Sequence, residues 1–501
     1  MSRNRFFEIL PGALSWSTLA ALLFFSWRAP AAVAVFIVLF DLYWFLKTVY
    51  LFFHLRYSFV RMKRTRAENW EAARAALDRE KQGWISSREI YHLVVLPMFQ
   101  EPVALVRETM ANLARARYEK DRMIVVLATE ERGGEGDAET ARAMIREFGG
   151  LFAGLHVARH PANIPGELPG KGSNETWAAK EAIEKFIEER NIPHERVMVS
   201  VFDIDTRPGP DYFGVLTCRF LTEPHPWRVS YQPIPLFTNN LHRAPVFARL
   251  IGFTTTFWNF MQQSRHEQLV TFSSHSISLV ALQEVGYWHT GIVSEDSRIF
   301  FQCLSRYNGG WRAVPLYYPV TMDAVEGENF WQALRNLYKQ QRRWAWGIEN
   351  IPYLFGEFIR NKTIPRRVKW FWGFNLLEGF YTWATSSFII FFFGWFPLML
   401  GGRDFNATVL SYNLPSVTGV LINLSLIGIV TFGFLSVMLL SPRLVWERKN
   451  PWRALLYVAQ WFLLPFTLLV WSGVPALDAQ TRMMLGGKFR LGFWRTPKVE
   501  R

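Results

Sequence analysis

The chain has 501 residues, half of them hydrophobic and 16% aromatic, yet its mean hydropathy is only +0.04, so polar and apolar stretches must be segregated along it. That length leaves room for one large catalytic domain together with membrane segments. A net charge of +14 and a pI of about 9.8 point to an anionic partner, whether nucleic acid, anionic lipid or an anionic cofactor. The two cysteines, Cys218 and Cys303, exclude a disulfide framework and have no metal-ligand spacing, and they suit a reducing cytosolic face.

The N-terminus is basic, but too much apolar sequence follows it for a cleaved signal peptide. Apolar runs at roughly Leu14–Trp27 and Ala31–Phe53 are separated by Arg28-Ala29-Pro30. Both read as membrane helices, which need about 20 apolar residues each. The basic cluster Arg56, Arg61, Lys63, Arg64 and Arg66 then places the following residues in the cytoplasm. Further apolar runs are Val368–Leu400, Val417–Leu440 and Ala454–Val474. The loop Ser441–Arg453 and the tail from Gly486 are both basic, so Pro465 and Pro475 are expected to turn the last run into a hairpin or a kinked interfacial helix that keeps the tail cytoplasmic.

Between about 60 and 350, β-branched strands alternate with amphipathic helices. His92–Phe99 is a strand, Glu101–Arg117 a helix, Arg122–Thr129 a strand, Asp137–Phe148 a helix, Leu155–His160 a strand and Glu175–Glu189 a helix. An apolar strand then ends in Asp203-Ile204-Asp205. The pattern predicts an α/β fold with a mostly parallel sheet, whose ligands sit at the carboxyl ends of the strands. The first strand–helix turn lacks GxGxxG, and Pro165–Gly172 lacks a P-loop, which argues against hydride transfer and a P-loop ATPase.

Four groups carry chemistry. Asp203 and Asp205, two apart on a strand, would point to one side and suit Mg²⁺ or Mn²⁺ as hard oxygen ligands; the competing reading is a pair of solvated turn aspartates before Thr206-Arg207-Pro208-Gly209-Pro210. Ser294-Glu295-Asp296 opens a helix, either as simple capping or with a carboxylate acting as general base. Gln340-Gln341-Arg342-Arg343-Trp344, on the amphipathic segment Asn329–Trp346, is either a basic helix end on lipid headgroups or an arginine that holds a diphosphate beside an indole that stacks on a sugar. Phe493-Trp494-Arg495-Thr496-Pro497-Lys498 is either a basic tail on anionic lipid or a mobile segment that brings a hydroxyl and an ammonium to a phosphate.

In this order and between membrane helices, these groups resemble the membrane-embedded family 2 glycosyltransferases, the cellulose, hyaluronan and chitin synthases. Asp203-Ile204-Asp205 is similar to that family's DxD motif, Ser294-Glu295-Asp296 to its (T/S)ED motif, and Gln340, Gln341, Arg343 and Trp344 to Q(Q/R)xRW. Phe493, Thr496 and Lys498 resemble the FxVTxK gating loop, with Arg495 in place of Val. Pro97–Glu101 resembles the P-x-Y/F-N-E turn, and Lys171 and Asn174 resemble the KxxN nucleotide contact. Thr271–Ser276 resembles the acceptor-lining F-x-x-G-S segment, with His275 in the place of Gly, a change that would narrow or repolarise the acceptor site. Where the family carries an aspartate that accepts the base N–H, this chain has Ala128-Thr129-Glu130-Glu131.

The resemblance implies a cytoplasmic GT-A domain over 56–350, flanked by transmembrane helices over 1–55, by interfacial and transmembrane helices over 351–486, and by a gating-loop-like tail over 487–501. It implies inverting transfer from a nucleotide sugar, expected to be a UDP-sugar, to a growing polysaccharide with export across the membrane. Asp296, with Glu295 beside it, would be the base, and Asp203 and Asp205 would hold Mg²⁺ or Mn²⁺. Glu101, Glu130, Glu131, Lys171, Asn174, Asp203, Arg343, Thr496 and Lys498 would contact the nucleotide sugar. Phe272, Ser273, His275, Gln340, Gln341 and Trp344 would contact the acceptor. Expected partners are the donor, a glycan or lipid-linked acceptor and membrane lipid, with no nucleic acid; the expected location is the cell membrane. The alternatives are a transferase adding one sugar to a lipid-linked acceptor, a catalytically silent scaffold, and a transporter, for which Glu378 would be the intramembrane charge but no internal repeat is visible.

Overall fold

The computed structural model describes residues 3–80, 82–439 and 451–498. Among these residues eight strands form one sheet: β1 (Tyr91–Pro97), β2 (Met123–Glu130), β3 (Gly154–His160), β4 (Val197–Val201), β5 (Arg207–Pro208), β6 (Val229–Phe237), β7 (Ser276–Ser278) and β8 (Arg312–Met322). Their order is β3-β2-β1-β4-β7-β6-β8-β5. The pairs β3/β2, β2/β1, β1/β4 and β6/β8 are parallel, whereas β4/β7, β7/β6 and β8/β5 are antiparallel. The expected parallel sheet is therefore the first half of a mixed one.

Strand alternation sorts the core into two layers. Val94 and Leu96 of β1, with Val125 and Leu127 of β2, face the layer that holds Val106, Met110 and Phe213. Leu93, Val95, Val126 and Val199 face the layer built from Ala178, Ala182, Phe300 and Phe301. Burial on both faces explains why these strands read as continuous apolar runs rather than alternating ones. Strand β1 is flanked by β2 on one side and β4 on the other, so successive connections leave it in opposite directions. In open α/β sheets such a switch point opens a crevice at the carboxyl ends of the strands.

Among the described residues, four helices are long and apolar enough to cross a membrane: Asn4–Arg28, Pro30–Ala67, Arg366–Phe393 and Leu455–Leu485. The expected run Val417–Leu440 falls in the helix Val409–Leu439. Within the expected basic loop Ser441–Arg453, residues 441–450 lie outside the described residues, as does Leu440. We name Arg3–Arg28 α1 and Pro30–Ala67 α2. Pro465 and Pro475 do not make a hairpin. Each sits in the first turn of an α segment, Leu464–Leu468 and Val474–Leu485, with a 3₁₀ turn before the first and a π segment before the second. A first-turn proline loses no needed N–H bond, so the chain stays helical through both. The basic end of α2 lies against the α/β domain, where Ser58 Oγ donates to Phe260 O at 2.7 Å.

Candidate active site

Two helix starts meet at the crevice. The helix Lys171–Ala182 begins at Lys171, four residues before the expected Glu175, and the helix Glu295–Arg306 begins at Glu295. They approach so closely that a Cβ on Gly172 would stand 2.7 Å from His289 O and 3.0 Å from Glu295 Cβ. Helix N-termini favour carboxylates, and Glu295 and Asp296 occupy the first turn of theirs.

Lys171 is the hub. Its Nζ lies 2.6 Å from Asp296 Oδ1, 3.0 Å from Asp203 Oδ1, 3.3 Å from Glu175 Oε1 and 3.4 Å from Glu295 Oε1. Burial works to lower its pKa, but Asp203, Asp296, Glu175 and Glu295 outweigh that and hold the ammonium well above its ordinary value. Burial would also raise the Asp203 carboxyl, yet Lys171 and the Ser273 hydroxyl, which donates to Asp203 Oδ2, bring it down to about 2. Glu295 is 1% exposed, and burial followed by the charge of Asp296 pushes it up to about 8. Burial likewise holds Glu175 well above the carboxylate range. Neither Glu175 oxygen accepts a hydrogen bond from the described residues. Asp296 is the more open neighbour, its side chain 22% exposed.

The aspartate pair does not sit on a strand. β4 ends at Val201, and Thr206 N donates to Asp203 O at 2.8 Å, so Asp203–Thr206 is a turn. Same-side alternation therefore does not govern these two side chains. Asp203 faces Lys171, while Asp205 pairs with Lys498 and accepts from Asp323 N at 3.2 Å. Burial raises the Asp205 carboxyl against the pull of Lys498.

The tail reaches the crevice. Arg495 donates to Phe99 O and, at 2.6 Å, to Gln100 O, and lies 3.6 Å from Glu101 Oε1. Burial pushes Glu101 up to about 7, with Lys498 and Arg495 opposing. Phe493 packs on Gly170, where a Cβ would stand 2.7 Å from its Cγ, and the Arg343 guanidinium lies 5.5 Å from the Phe493 ring centre. Gln340, Thr496 and Lys498 line one small cavity with Asp323, and Thr496 Oγ1 has no hydrogen-bond partner among the described residues.

The remaining expected contacts divide. Asn174 Nδ2 donates to Ala128 O at 2.7 Å, tying its amide to β2. Glu130 pairs with Arg132, and Glu131 accepts from Ala162 N at 2.8 Å. Phe272 lies edge-on to Trp258 at 4.8 Å, and Trp344 packs on Phe237 at 6.0 Å. Gln341 is buried with its Nε2 unbonded. His275, expected to narrow or repolarise the acceptor segment, is wholly buried behind it. Its Nδ1 donates to Phe272 O at 2.9 Å and its Nε2 accepts from Trp288 Nε1 at 3.3 Å, with burial lowering its pKa. Sequence reading did not single out Glu175 or Asp323 as site residues. The i, i+4 spacing from Lys171 on a helix was the available signal for Glu175; Asp323 follows the end of β8 and carries no local signal.

Residues 198–476, more than half of the chain, match the glycosyl transferase family group 2. The chain belongs to that family. It is a glycosyltransferase, and the span that identifies this family 2 member begins in β4 and includes Asp203, Asp296 and Arg343. No curated protein matches the sequence significantly. Among solved structures, the mannosyltransferase PcManGT from Pyrobaculum calidifontis, in complex with GDP-Man and Mn²⁺, is 14% identical, with 88% of this chain and 99% of that chain covered at a TM-score of 0.40. S. aureus TarS 1–349, in complex with UDP-GlcNAc, is 12% identical, with 75% and 91% covered at a TM-score of 0.39. GalNAc-T7 with UDP, GalNAc and Mn²⁺ is 10% identical, with 65% and 57% covered at a TM-score of 0.31.

Asp203 and Asp205 offer hard oxygens of the kind Mg²⁺ or Mn²⁺ takes. Asp205 is buried, and its charge is balanced by an ammonium carried on the tail, a cation that stands where another cation would be held. These residues fit such an ion. Glu175, Glu295 and Asp296 also bring oxygens within 4.8 Å of one another, with the Lys171 ammonium among them.

Proposed function

We propose that this family 2 glycosyltransferase is a membrane enzyme that moves a sugar from a nucleotide sugar, a UDP-sugar, to a growing polysaccharide, with inversion at the anomeric carbon and export across the membrane. The observation that carries the reading is the pairing of Asp296 with Lys171, which also reaches Asp203, at the carboxyl ends of β1 and β4. The Asp296 carboxylate takes the proton of the acceptor hydroxyl. The acceptor oxygen attacks the anomeric carbon, the bond from that carbon to the diphosphate oxygen breaks, and the nucleoside diphosphate leaves with the electron pair. Lys171 turns from its carboxylates towards the diphosphate and frees Asp296, while Arg343, Thr496 and Lys498 hold the phosphates. Asp203 and Asp205 would hold Mg²⁺ or Mn²⁺, which would offset charge on the leaving diphosphate. Glu101, Glu130 and Glu131 bound the nucleotide side, and Phe272, Ser273, Gln340, Gln341 and Trp344 the acceptor side.

The four apolar helices support a multi-pass membrane protein. The basic residues of α2, from Arg56 to Arg66, support a cytoplasmic catalytic domain in the cell membrane. Membranes holding the protein, incubated with radiolabelled UDP- and GDP-sugars and followed by sizing of the product, test the reading. A polymer made from one UDP-sugar is expected. A lipid bearing a single sugar that is never extended overturns it.

A further inference from the structure

Ser294 stands where a capping hydroxyl is expected for the helix Glu295–Arg306, but that hydroxyl turns elsewhere. Ser294 Oγ donates to Glu349 Oε1 at 2.6 Å, and the same oxygen accepts from Val293 N at 3.0 Å and Ser294 N at 2.9 Å. The second carboxylate oxygen, Oε2, accepts from Trp346 Nε1 at 3.1 Å. Four donors thus converge on one side chain. A carboxylate suits them all, because it accepts through both oxygens and donates through neither; a glutamine would set an N–H against one of them. Two successive backbone N–H groups also form a concavity that favours an anion. Hydrogen bonds to an ionised acceptor are about twice as strong as neutral ones.

Glu349 reaches this loop from another element. It closes the 3₁₀ turn Trp346–Glu349, which continues directly from the helix Phe330–Ala345 that carries Gln340, Arg343 and Trp344. A separate set of bonds holds the body of the helix Glu295–Arg306. Arg298, 4% exposed, donates to Asn350 Oδ1 at 2.6 Å and to Glu349 O at 2.9 Å, and Asn350 Nδ2 donates to Ser297 Oγ at 2.9 Å. Those bonds do not use the Glu349 carboxylate. The carboxylate acts on the loop before the helix, which ends two residues upstream of Asp296.

We propose that Glu349 is a positioning residue for sugar transfer: it ties the loop that presents Asp296 to the helix end that carries Arg343 and Trp344. Base and acceptor would then keep their spacing as one unit. The inference rests on the reading above of Asp296 as the base and Trp344 as an acceptor contact. A general base must stand within hydrogen-bond reach of the hydroxyl it deprotonates. A misplacement of about 1 Å can cost about 10²-fold in rate.

The test uses the full chain in lipid nanodiscs and the donor sugar that the parent accepts. Turnover is expressed per UDP-binding site, counted by calorimetry. Glu349→Ala is expected to lower that turnover about 10²-fold, with the donor KM and the UDP affinity within about twofold of the parent. Glu349→Gln, which keeps one oxygen for the loop, should fall between the two. Added to Asp296→Asn, Glu349→Ala should cost nothing more, since a residue that works through the base has no effect once the base is gone. A merely structural role would reduce the number of UDP sites and leave turnover per site unchanged, and that result overturns the proposal. So does a further loss in the Asp296→Asn background. Full turnover in Asp296→Asn by itself would sink the base reading and the proposal with it. A crippled Asp296→Asn beside a normal Glu349→Ala would sink the positioning role alone.

Discussion

Glu295 and Asp296 are adjacent in sequence but stand in different environments. Asp296 opens towards the crevice, whereas Glu295 is sealed beneath Lys171. Asp296→Asn keeps the shape and removes the proton acceptor. Transfer should fall by about 10²–10⁴, while UDP binding by calorimetry stays within about twofold of the parent, as the proposed role of Asp296 towards the acceptor requires. Glu295 has a different signature. Its pKa is raised from 4.5 to about 8 in the fold, so between those values the folded state holds a proton that the unfolded chain has lost. Stability should therefore fall as pH rises from about 4.5 to about 8. Glu295→Gln, neutral throughout, should flatten that slope. Melting curves at pH 5 and pH 8 decide, and an equal pH dependence in both proteins would remove Glu295 as the source.

Periodicity located β1, β2 and β3 to within two residues at either end, because buried parallel strands are apolar on both faces and leave unbroken runs, whereas β4 stops at Val201, short of the expected end at the aspartate pair. It did not reveal the β7/β6/β8 half, where β7 is only Ser276–Ser278 and most of its residues are polar. The aspartate pair was legible as chemistry but not as geometry, since a turn two residues after β4 replaced the expected strand end. The tail shows the same split. Phe493, Thr496 and Lys498 could be singled out, but not the clasp that Arg495 makes on Phe99 and Gln100, which exists only in three dimensions. Lys498 pairs with a buried carboxylate, and removing one partner of such a pair costs about 3–5 kcal/mol. Lys498→Met should thus release the tail from Asp205. Limited proteolysis is then expected to cut within residues 491–498, with the strands unaffected; full resistance would mean that the Arg495 clasp alone holds the tail.

At the scale of the whole molecule, the apolar helices are joined to one another by polar contacts placed among close backbones. The helix α1 lies along Val474–Leu485. Ser15 Oγ donates to Gln480 Oε1 at 2.7 Å, Gln480 Nε2 donates to Phe380 O at 2.7 Å, and Arg5 donates to Met483 O at 2.9 Å. Gly12 lets the two helices meet: a Cβ there would stand 2.9 Å from Gln480 O and 3.0 Å from Met484 Cβ. Small residues at such crossings stabilise membrane helices through packing and interhelical hydrogen bonds rather than through the hydrophobic effect. Val474–Leu485 leads directly into the tail, and Asp478 on it pairs with Arg342 at 3.0 Å, next to Arg343. A shift at α1 is therefore expected to reach both the tail and the Gln-Arg-Trp helix. Gly12→Leu should force α1 away, which overpacking penalties put at roughly 1–3 kcal/mol. It should lower the melting temperature of the detergent-solubilised chain and cut transfer, while β1, β2 and β4 keep their exchange protection. Loss of protection in those strands as well would show that the α/β domain depends on α1 for its own folding.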